Sequence, residues 1–406
     1  MTSRVKPLAD AVSVSPEQVA AFRLARHHLD RRAPRSALAR VAGDMVGAQA
    51  QVQSAAFMSL WTRTRDLRVD DVEKALWQDR VLAKVWCMRG SLHIVPSKEF
   101  AVFVRGSGRR EARLADYLAR TGLPMEPINR IVNAIPTVLD HPLTRKEIAE
   151  RLSDDFKIKR KQKAGRGWGG ASDAEGFEVG GEILSVHWLV SVACMRGLAC
   201  FGPMRGNEAT FVRPDRWLPN WQDWAPEEAE TELLRRYLRA NGPATVNDFA
   251  LWTYVKAADA REIWGRLEPE LAPVNVDGRP GWLLREDLSS LGCAELERPS
   301  VRLLPFFDSF LLALKDKKHL VDTAHYKRVY RPQGWLSPVV LVDGRIAGIW
   351  SHERQGQNLS VRVEAFRPFG SDVQRCVRAE VDDLGRFLRA KEVKLRFIGS
   401  TRKTRP

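Results

Sequence analysis

Two glutamines, Gln49 and Gln51, stand two positions apart in the segment Gly47-Ala48-Gln49-Ala50-Gln51. The carbonyl oxygen of a glutamine amide can accept a hydrogen bond from water, and its NH2 group can donate one to a bound molecule. Because an amide is a very weak base, such a pair suits the positioning of water and substrate better than strong acid–base catalysis. The alternative is a pair of polar side chains in a turn or on a solvated helix face.

The spacing of the two glutamines restricts the backbone that could present them together. Residues i and i+2 of an α-helix point about 200° apart, onto nearly opposite faces. We therefore predict a non-helical bend over residues 47–52, and Gly47 is the residue that favours a break there. Gln51-Val52-Gln53 has the same spacing, so the register of the pair has a second possibility.

Two further side chains are candidates for a supporting role. His93 follows the turn signal Arg89-Gly90 on a predicted strand, where it could line a site or form a hydrogen bond in the core. Asp308 lies in an apolar run, and a buried carboxylate needs a partner, so an ion pair or a helix cap is favoured over catalysis. The five cysteines have no Cys-x-x-Cys spacing, and no set of cysteine and histidine residues has zinc spacing. We therefore predict no metal site.

The chain is strongly basic. Its 65 lysines and arginines outnumber its 50 aspartates and glutamates, which gives a formal net charge of +15 over 406 residues. This surplus indicates a polyanionic partner, with nucleic acid favoured over an acidic membrane surface or no specific partner. No run of about 18 uncharged apolar residues is present, and residues 1–10 lack the apolar core of a signal peptide. We expect a cytoplasmic protein without a membrane partner.

Helical patterns followed by a predicted two-stranded hairpin occur three times, an order that is typical of winged-helix domains. The remainder of the chain is rich in strand patterns and contains one long helical pattern. We predict an α+β fold with three tandem winged-helix units followed by a small C-terminal β-barrel-like domain. The predicted hairpin strands are 81–88 with 91–95, 198–201 with 209–212, and 271–276 with 281–284, and the predicted domains are 1–100, 101–220, 221–295 and 296–406.

Further basic residues are candidates for contacts to a nucleic-acid backbone. A basic, glycine-rich insertion near 157–177 reads as a flexible loop that could order on binding, or alternatively as a solvated insertion. Arginines at hairpin tips suit the negative potential of a narrow minor groove, although exposed turn residues are the alternative. The candidates are Lys159, Arg160 and Lys161 in the insertion, and Arg205, Asn207 and Arg279 at two predicted tips.

Several blocks of this sequence together resemble the AlkZ family of bacterial winged-helix DNA glycosylases. The family signature is glutamine, an aliphatic residue and glutamine, and a sister group has aspartate in place of the second glutamine. This chain has Gln51 there, and so resembles the Gln-x-Gln branch. The blocks are Gly47-Ala48-Gln49-Ala50-Gln51, Trp86-Cys87-Met88-Arg89-Gly90-Ser91-Leu92-His93, Cys200-Phe201-Gly202-Pro203, Leu303-Leu304-Pro305-Phe306-Phe307-Asp308 and Ser337-Pro338-Val339-Val340-Leu341.

The resemblance implies a chain curved around duplex DNA that hydrolyses the N-glycosidic bond of N7-alkylated purines. Some relatives unhook interstrand crosslinks or remove bulky adducts. It implies Gln49 and Gln51 as catalytic residues and supports DNA contacts by Arg89, Ser91 and His93. No lysine is placed as a Schiff-base nucleophile, so the expected enzyme is monofunctional, needs no cofactor and leaves an abasic site.

The expected partner is double-stranded DNA carrying alkylated purines, and the expected state is a monomer, associated with the bacterial nucleoid in use.

Two other functions fit part of the sequence. A winged-helix transcription regulator would explain the charge and the hairpins but not the paired glutamines. A binder of damaged DNA without catalytic activity would grip the lesion and release no base.

Overall fold

The computed structural model describes residues 11–108, 118–156, 160–164 and 173–399, and it confirms a mixed α+β fold. Its helices are α1 (Pro16–Arg26), α2 (Leu38–Asp44), α3 (Gln53–Trp61), α4 (Val69–Trp77), α5 (Phe100–Gly106), α6 (Met125–Val138), α7 (Arg145–Phe156), α8 (Val186–Met195), α9 (Pro214–Trp217), α10 (Pro226–Asn241), α11 (Val246–Thr253), α12 (Ala257–Leu267), α13 (Leu288–Gly292), α14 (Ser309–Leu312), α15 (Tyr326–Val329) and α16 (Ser371–Phe387).

The strands that the structure describes alternate with these helices along the chain. They are β1 (Val12–Val14), β2 (Ala48–Gln49), β3 (Leu82–Trp86), β4 (Leu92–Pro96), β5 (Leu143–Thr144), β6 (Arg160–Ala164), β7 (Asp173–Val179), β8 (Glu182–Ser185), β9 (Cys200–Phe201), β10 (Thr210–Val212), β11 (Leu271–Val276), β12 (Arg279–Leu284), β13 (Val301–Leu304), β14 (Val339–Val342), β15 (Arg345–Gln355), β16 (Asn358–Ala365) and β17 (Glu392–Ile398).

The chain divides into two compact units, each built from separate stretches of sequence. The predicted division into four consecutive domains, and with it the number of winged-helix units, remains a prediction. The first unit contains Met1–Val72, Leu234–Trp252 and Ala260–Pro406, and the second contains Glu73–Leu233 and Thr253–Asp259.

In the first unit, a five-stranded sheet has the order β13-β14-β15-β16-β17. Val361 and Val363 of β16 are buried while Arg362 between them is exposed, which is the alternation expected of a half-buried strand. Neighbouring strands are antiparallel except β16 and β17, which are parallel and are connected by the crossover helix α16. Val381 and Leu384 of this helix are fully buried.

The expectation of a barrel-like C-terminal domain is wrong, because this sheet is open. Within the residues that the structure describes, edge strand β13 pairs only with β14 and edge strand β17 only with β16. Closure would require the two edges to meet. Here the last strand instead arrives in parallel through α16, which packs on both β13 and β17. The apolar face is therefore covered by a helix rather than by curling of the sheet.

The first unit also contains the third predicted hairpin, formed by β11 and β12. Asp277 and Gly278 both have positive φ, 49° and 78°, as a tight two-residue hairpin turn requires. Strand β1 adds to β11 in parallel, so the hairpin becomes a three-stranded sheet. The predicted positions of both strands are confirmed, and the second strand begins two residues earlier than predicted.

The second unit contains the other two predicted hairpins. Strands β3 and β4 are antiparallel, and Arg89 and Gly90 between them have φ of 57° and 65°. Strands β9 and β10 are antiparallel as predicted, and β5 pairs with the outer side of β10. The pairing of predicted strands in all three hairpins is thus confirmed.

The prediction of a flexible loop near 157–177 is wrong for much of that segment. Strands β6 and β7 pair as an antiparallel hairpin, and β8 continues the sheet. Phe177 and Val179 alternate along β7 and are buried, so their burial holds the strand to which β6 adds. Composition alone showed the basic and glycine residues but not this alternation. Arg160 and Lys161 lie in β6, whereas Lys159 lies outside the described residues.

None of the helices in the described parts of the chain has the length and apolar character needed to cross a membrane.

Candidate active site

The two glutamines of the signature lie in a non-helical bend between α2 and α3, as the spacing argument predicted. We call residues 46–52 the glutamine bend. Val46 and Gly47 have φ of 57° and 83°, which reverses the chain after α2. The Gly47 amide donates a 2.8 Å hydrogen bond to the carbonyl of Ala42, closing the end of that helix. The chain then runs extended through Gln49 before α3 begins at Gln53.

The glutamines of this bend differ in exposure. Gln49 retains 9% of its accessible surface, whereas Gln51 is exposed. Gln53 is partly exposed and is the first residue of α3. The bend thus holds Gln49 within the protein and presents the amide of Gln51 to solvent.

A turn from a distant part of the sequence holds the glutamine bend in place. The Ser309 hydroxyl donates a 2.6 Å hydrogen bond to the carbonyl oxygen of Gly47, 262 residues away. We call residues 305–309 the aspartate turn, because Asp308 caps α14 by accepting a hydrogen bond from the Phe310 amide at 3.0 Å. No local sequence pattern indicates the contact between Ser309 and Gly47.

Asp308 is the centre of a fully buried polar network. The Arg63 guanidinium donates to its Oδ1 at 2.7 Å and to its Oδ2 at 2.8 Å, and the side chains of both residues have 0% exposure. The Ser59 hydroxyl donates to the same Oδ2 at 2.8 Å. Burial raises the pKa of Asp308, but the charge of Arg63 and the hydrogen bonds from Arg63 and Ser59 outweigh this and hold it below its ordinary value.

This network confirms the sequence interpretation of Asp308 as both an ion-pair partner and a helix cap. Both carboxylate oxygens of Asp308 accept hydrogen bonds, and these contacts fix the aspartate turn. Arg63 links this turn to the end of α3, which begins at the glutamine bend. No local sequence pattern indicated Arg63 as the partner of Asp308, because the two residues are 245 positions apart.

A second buried basic group lies close to this network. His27 is fully buried, and its Nε2 is 3.0 Å from Oδ1 of Asn241. Burial, and then the positive charge of Arg63, lower the pKa of His27 to about 3. His27 is therefore neutral at pH 7 and donates its Nε2 proton to Asn241. The sequence analysis did not single out this histidine.

The candidates Arg89, Ser91 and His93 lie together at the β3–β4 hairpin of the second unit. His93 is buried, with Nδ1 at 3.0 Å from the Ser91 carbonyl oxygen and Nε2 at 3.3 Å from Nη2 of Arg89. Since Arg89 can only donate, the neutral ring carries its proton on Nδ1 and donates it to Ser91. This is the hydrogen-bonded core arrangement that the sequence left open for His93. Arg89 and Ser91 are partly exposed.

The two arginines predicted at hairpin tips form ion pairs within the protein. Arg205 donates to Glu147 at 2.6 Å, and the backbone amide of Thr144, followed by the Thr144 hydroxyl and Arg205, lowers the pKa of Glu147 to about 2. Arg279 pairs with Asp316 at 2.9 Å, and both side chains are more than half exposed. Asn207 is exposed at its tip. Exposed pairs of this kind contribute little to stability and can exchange partners.

A cleft of about 590 Å³ in the first unit holds a group of arginines that the sequence analysis missed. It lies just past the end of α3. Two of its exposed arginines come from the run Arg63-Thr64-Arg65-Asp66-Leu67-Arg68, and Arg35 is exposed as well. The repeated arginines of that run were the sequence signal that could have indicated a basic site. Only the fold shows that Arg63 is buried whereas Arg65 and Arg68 are exposed. We call this the arginine cleft, lined by Pro34, Arg35, Arg65, Asp66, Arg68 and Arg386.

Within the described residues, no three histidine, cysteine, aspartate or glutamate side chains are grouped so that they could hold a metal ion.

Comparisons with known proteins agree with the resemblance seen in the sequence. The family model of the AlkZ-like DNA glycosylases matches residues 42–387. The interstrand DNA cross-link repair glycosylase of Streptomyces sahachiroi is 31% identical over 350 residues, which cover 84% of this chain and 88% of that protein.

The solved structure of the S. sahachiroi DNA glycosylase AlkZ is similar with a TM-score of 0.79 at 27% identity, covering 95% of this chain and 100% of that one. The matched family region contains the glutamine bend, Arg63 and Asp308. Sequence and fold therefore agree, and a transcription regulator is not favoured. This chain belongs to the AlkZ-like family of DNA glycosylases, hydrolases that act on N-glycosyl bonds.

Proposed function

We propose that this chain releases N7-alkylated purines from duplex DNA, including purines joined in interstrand crosslinks, and that Gln51 orients the attacking water. The observation that carries the proposal is the glutamine bend, in which positive φ at Val46 and Gly47 precedes an exposed Gln51. The similarity to a cross-link repair glycosylase supports the wider substrate range.

The chemistry requires little from a general acid or base. N7-alkylation places a positive charge on the purine, so the base departs without strong protonation. The sugar then resembles an oxocarbenium ion, which water attacks. The Gln51 carbonyl oxygen accepts a hydrogen bond from that water and so holds it in position. The water transfers its proton to the surrounding solvent as the new carbon–oxygen bond forms, and an abasic site remains.

Gln49 and Gln51 form the pair in this proposal, rather than Gln51 and Gln53. Gln49 and Gln51 both lie in the irregular bend, whereas Gln53 begins α3 and its direction is set by the helix. Gln49 is largely buried, so its role is to support the bend and the amide orientation of its neighbour. The Arg63–Asp308 pair fixes the aspartate turn, and Ser309 of that turn holds the backbone of the glutamine bend at Gly47.

Binding to the DNA backbone is assigned to exposed cations. The net charge of +15 provides the general attraction, and the arginine cleft provides a local concentration of guanidinium groups. Further phosphate contacts are proposed for Arg89, Ser91, Arg205, Asn207 and Arg279 at the hairpins. The paired tip arginines can exchange a carboxylate for a phosphate.

The test is single-turnover release of base from a duplex that contains one N7-methylguanine. Gln51→Ala should reduce the rate by roughly 10²–10⁴ if the amide orients the water. Gln53→Ala is the matched control and should remain within about threefold of the parent. A Gln51→Ala rate equally close to the parent would refute the assignment of Gln51. A duplex carrying a defined N7 crosslink, assayed by denaturing gel, tests the wider substrate range.

A further inference from the structure

Three exposed or half-exposed aromatic side chains of the first unit lie together on its surface. The ring of Trp335 makes an edge contact with Phe306 at 6.2 Å between centroids and a tilted contact with Phe307 at 5.4 Å. Trp335 keeps 45% of its surface exposed, although tryptophan is highly buried on average. We call Phe306, Phe307 and Trp335 the aromatic platform.

The aromatic platform is attached directly to the glutamine bend. Phe306 and Phe307 belong to the aspartate turn, whose Ser309 hydroxyl contacts the Gly47 carbonyl oxygen at 2.6 Å. Phe307 is two residues from Ser309, and Gly47 is four residues from Gln51, so the two steps span at most about 7 Å and about 14 Å of chain. The aromatic platform and Gln51 therefore lie on neighbouring segments that one hydrogen bond joins.

The backbone at Phe307 is held in a costly conformation. Its φ is 57°, in the left-handed region that residues other than glycine and asparagine rarely adopt. The next residue is Asp308, which the buried contact with Arg63 fixes in place. Strained residues persist where the surrounding structure determines them, and such residues concentrate at functional sites.

Trp335 is also presented by a constrained loop. Gln333 and Gly334 have φ of 62° and 77°, and the Arg331 amide donates a 2.8 Å hydrogen bond to the Trp335 carbonyl oxygen. The next residue, Leu336, is buried. The loop thus anchors Leu336 in the core and leaves the indole of Trp335 on the surface beside the two phenylalanines.

We propose that the aromatic platform, through Trp335, recognises the positive charge of an N7-alkylated purine by stacking and cation–π attraction. This inference rests on the proposed function and names the feature of the substrate that is selected. The face of an indole carries negative potential and attracts a cation more strongly than the ring of phenylalanine does. A neutral purine of the same shape gains only the stacking and the burial of apolar surface.

The test compares the affinities for two duplexes that differ in the charge of one base. One contains N7-methylguanine on a 2′-fluoro sugar, which slows cleavage, and the other contains its neutral isostere, 7-methyl-7-deazaguanine, on the same sugar. The parent should bind the charged duplex roughly 3- to 30-fold more tightly by fluorescence anisotropy. Trp335→Leu should bring this ratio close to one, and Trp335→Phe should leave an intermediate ratio.

Phe397→Leu is the matched control, since Phe397 is an exposed aromatic of the same unit, 38% exposed on β17. Its ratio should equal that of the parent. An unchanged ratio in Trp335→Leu, or an equal loss of affinity for both duplexes, would overturn the proposal. Should Trp335→Leu fail to fold by circular dichroism, the ratio for Trp335→Phe decides, and a value equal to the parent's overturns it.

This outcome is separable from that of the proposed function. Base release from an ordinary N7-methylguanine duplex tests the glycosylase activity, whereas the affinity ratio requires no cleavage. Release with no charge preference would refute only the aromatic platform, and a charge preference without release would refute only the catalytic proposal.

Discussion

Arg63 and Arg65 are two residues apart and have the same chemistry, yet the fold uses them in opposite ways. Arg63 is fully buried and its guanidinium forms a salt bridge with Asp308, while Arg65 is exposed in the arginine cleft. A buried ion pair fixes backbone segments in one arrangement, because neither charge can leave its partner without a large desolvation penalty. An exposed guanidinium keeps its water and can exchange it for phosphate. The burial of each arginine, rather than its residue type, decides whether its charge is held within the protein or lies in solvent.

The largest expected effect on the free energy of unfolding comes from breaking the buried Arg63–Asp308 pair. Arg63→Met leaves the Asp308 carboxylate buried without its cation, which should reduce the free energy of unfolding by about 3–5 kcal/mol. Urea denaturation measures this loss. The double variant Arg63→Met with Asp308→Leu removes both charges and should recover part of it. A single variant within about 1 kcal/mol of the parent would show that the pair does not hold this region together.

A second prediction concerns His27, another buried basic side chain. Its folded-state pKa is about 3, below the ordinary value near 6.5, so the unfolded chain binds the proton first. The free energy of unfolding therefore includes the full contribution of neutral His27 above about pH 6.5. This contribution is lost as the pH falls toward 3, by at most about 1.4 kcal/mol per pH unit.

The check is the free energy of unfolding at about pH 7, 6 and 5, a window above the ordinary pKa of carboxylates. His27→Gln removes the titrating group, so its stability should fall less steeply with decreasing pH than that of the parent. His141→Gln, at an exposed histidine, is the matched control for the substitution. Equal slopes in His27→Gln and the parent would contradict the assignment.

The smallest effect on the free energy of unfolding is expected from substitution of the exposed arginines in the arginine cleft. Arg65→Gln combined with Arg68→Gln should change the free energy of unfolding by no more than about 0.5 kcal/mol. It should weaken DNA binding and make the slope of log K against log salt less steep by up to about 2, one unit for each lost phosphate contact. Anisotropy titrations over a range of salt concentrations measure this slope.

Arg375→Gln is the control for the arginine cleft, since Arg375 is 77% exposed but lies on α16 outside the cleft. An equal change in slope for each arginine removed would show that the cleft contributes no more to DNA binding than the general positive charge of the chain does.

Features set by local sequence were predictable. Asp277-Gly278 specified a hairpin because both positions tolerate positive φ, and the observed turn has it. The break at the glutamine bend followed from helix geometry and Gly47. The need of Asp308 for a partner followed from its apolar surroundings, because burying a lone carboxylate is too costly.

Features set by distant contacts were not predictable. Asp308 and its partner Arg63 are 245 residues apart, so no local pattern joins them. The open sheet depends on α16 covering strands from different parts of the chain. The strands of the basic insertion depend on burial of Phe177. The arginine cleft depends on Arg386 meeting residues that lie more than 300 positions earlier.

The hydrogen bond from Ser309 to Gly47 has a consequence for synthesis of the protein. Chains emerge from the ribosome N-terminus first, and domains generally fold as units in that order. The glutamines near position 50 are made early, but the hydroxyl that braces them is added about 260 residues later. The glutamine bend therefore gains this brace only after most of the chain has been made.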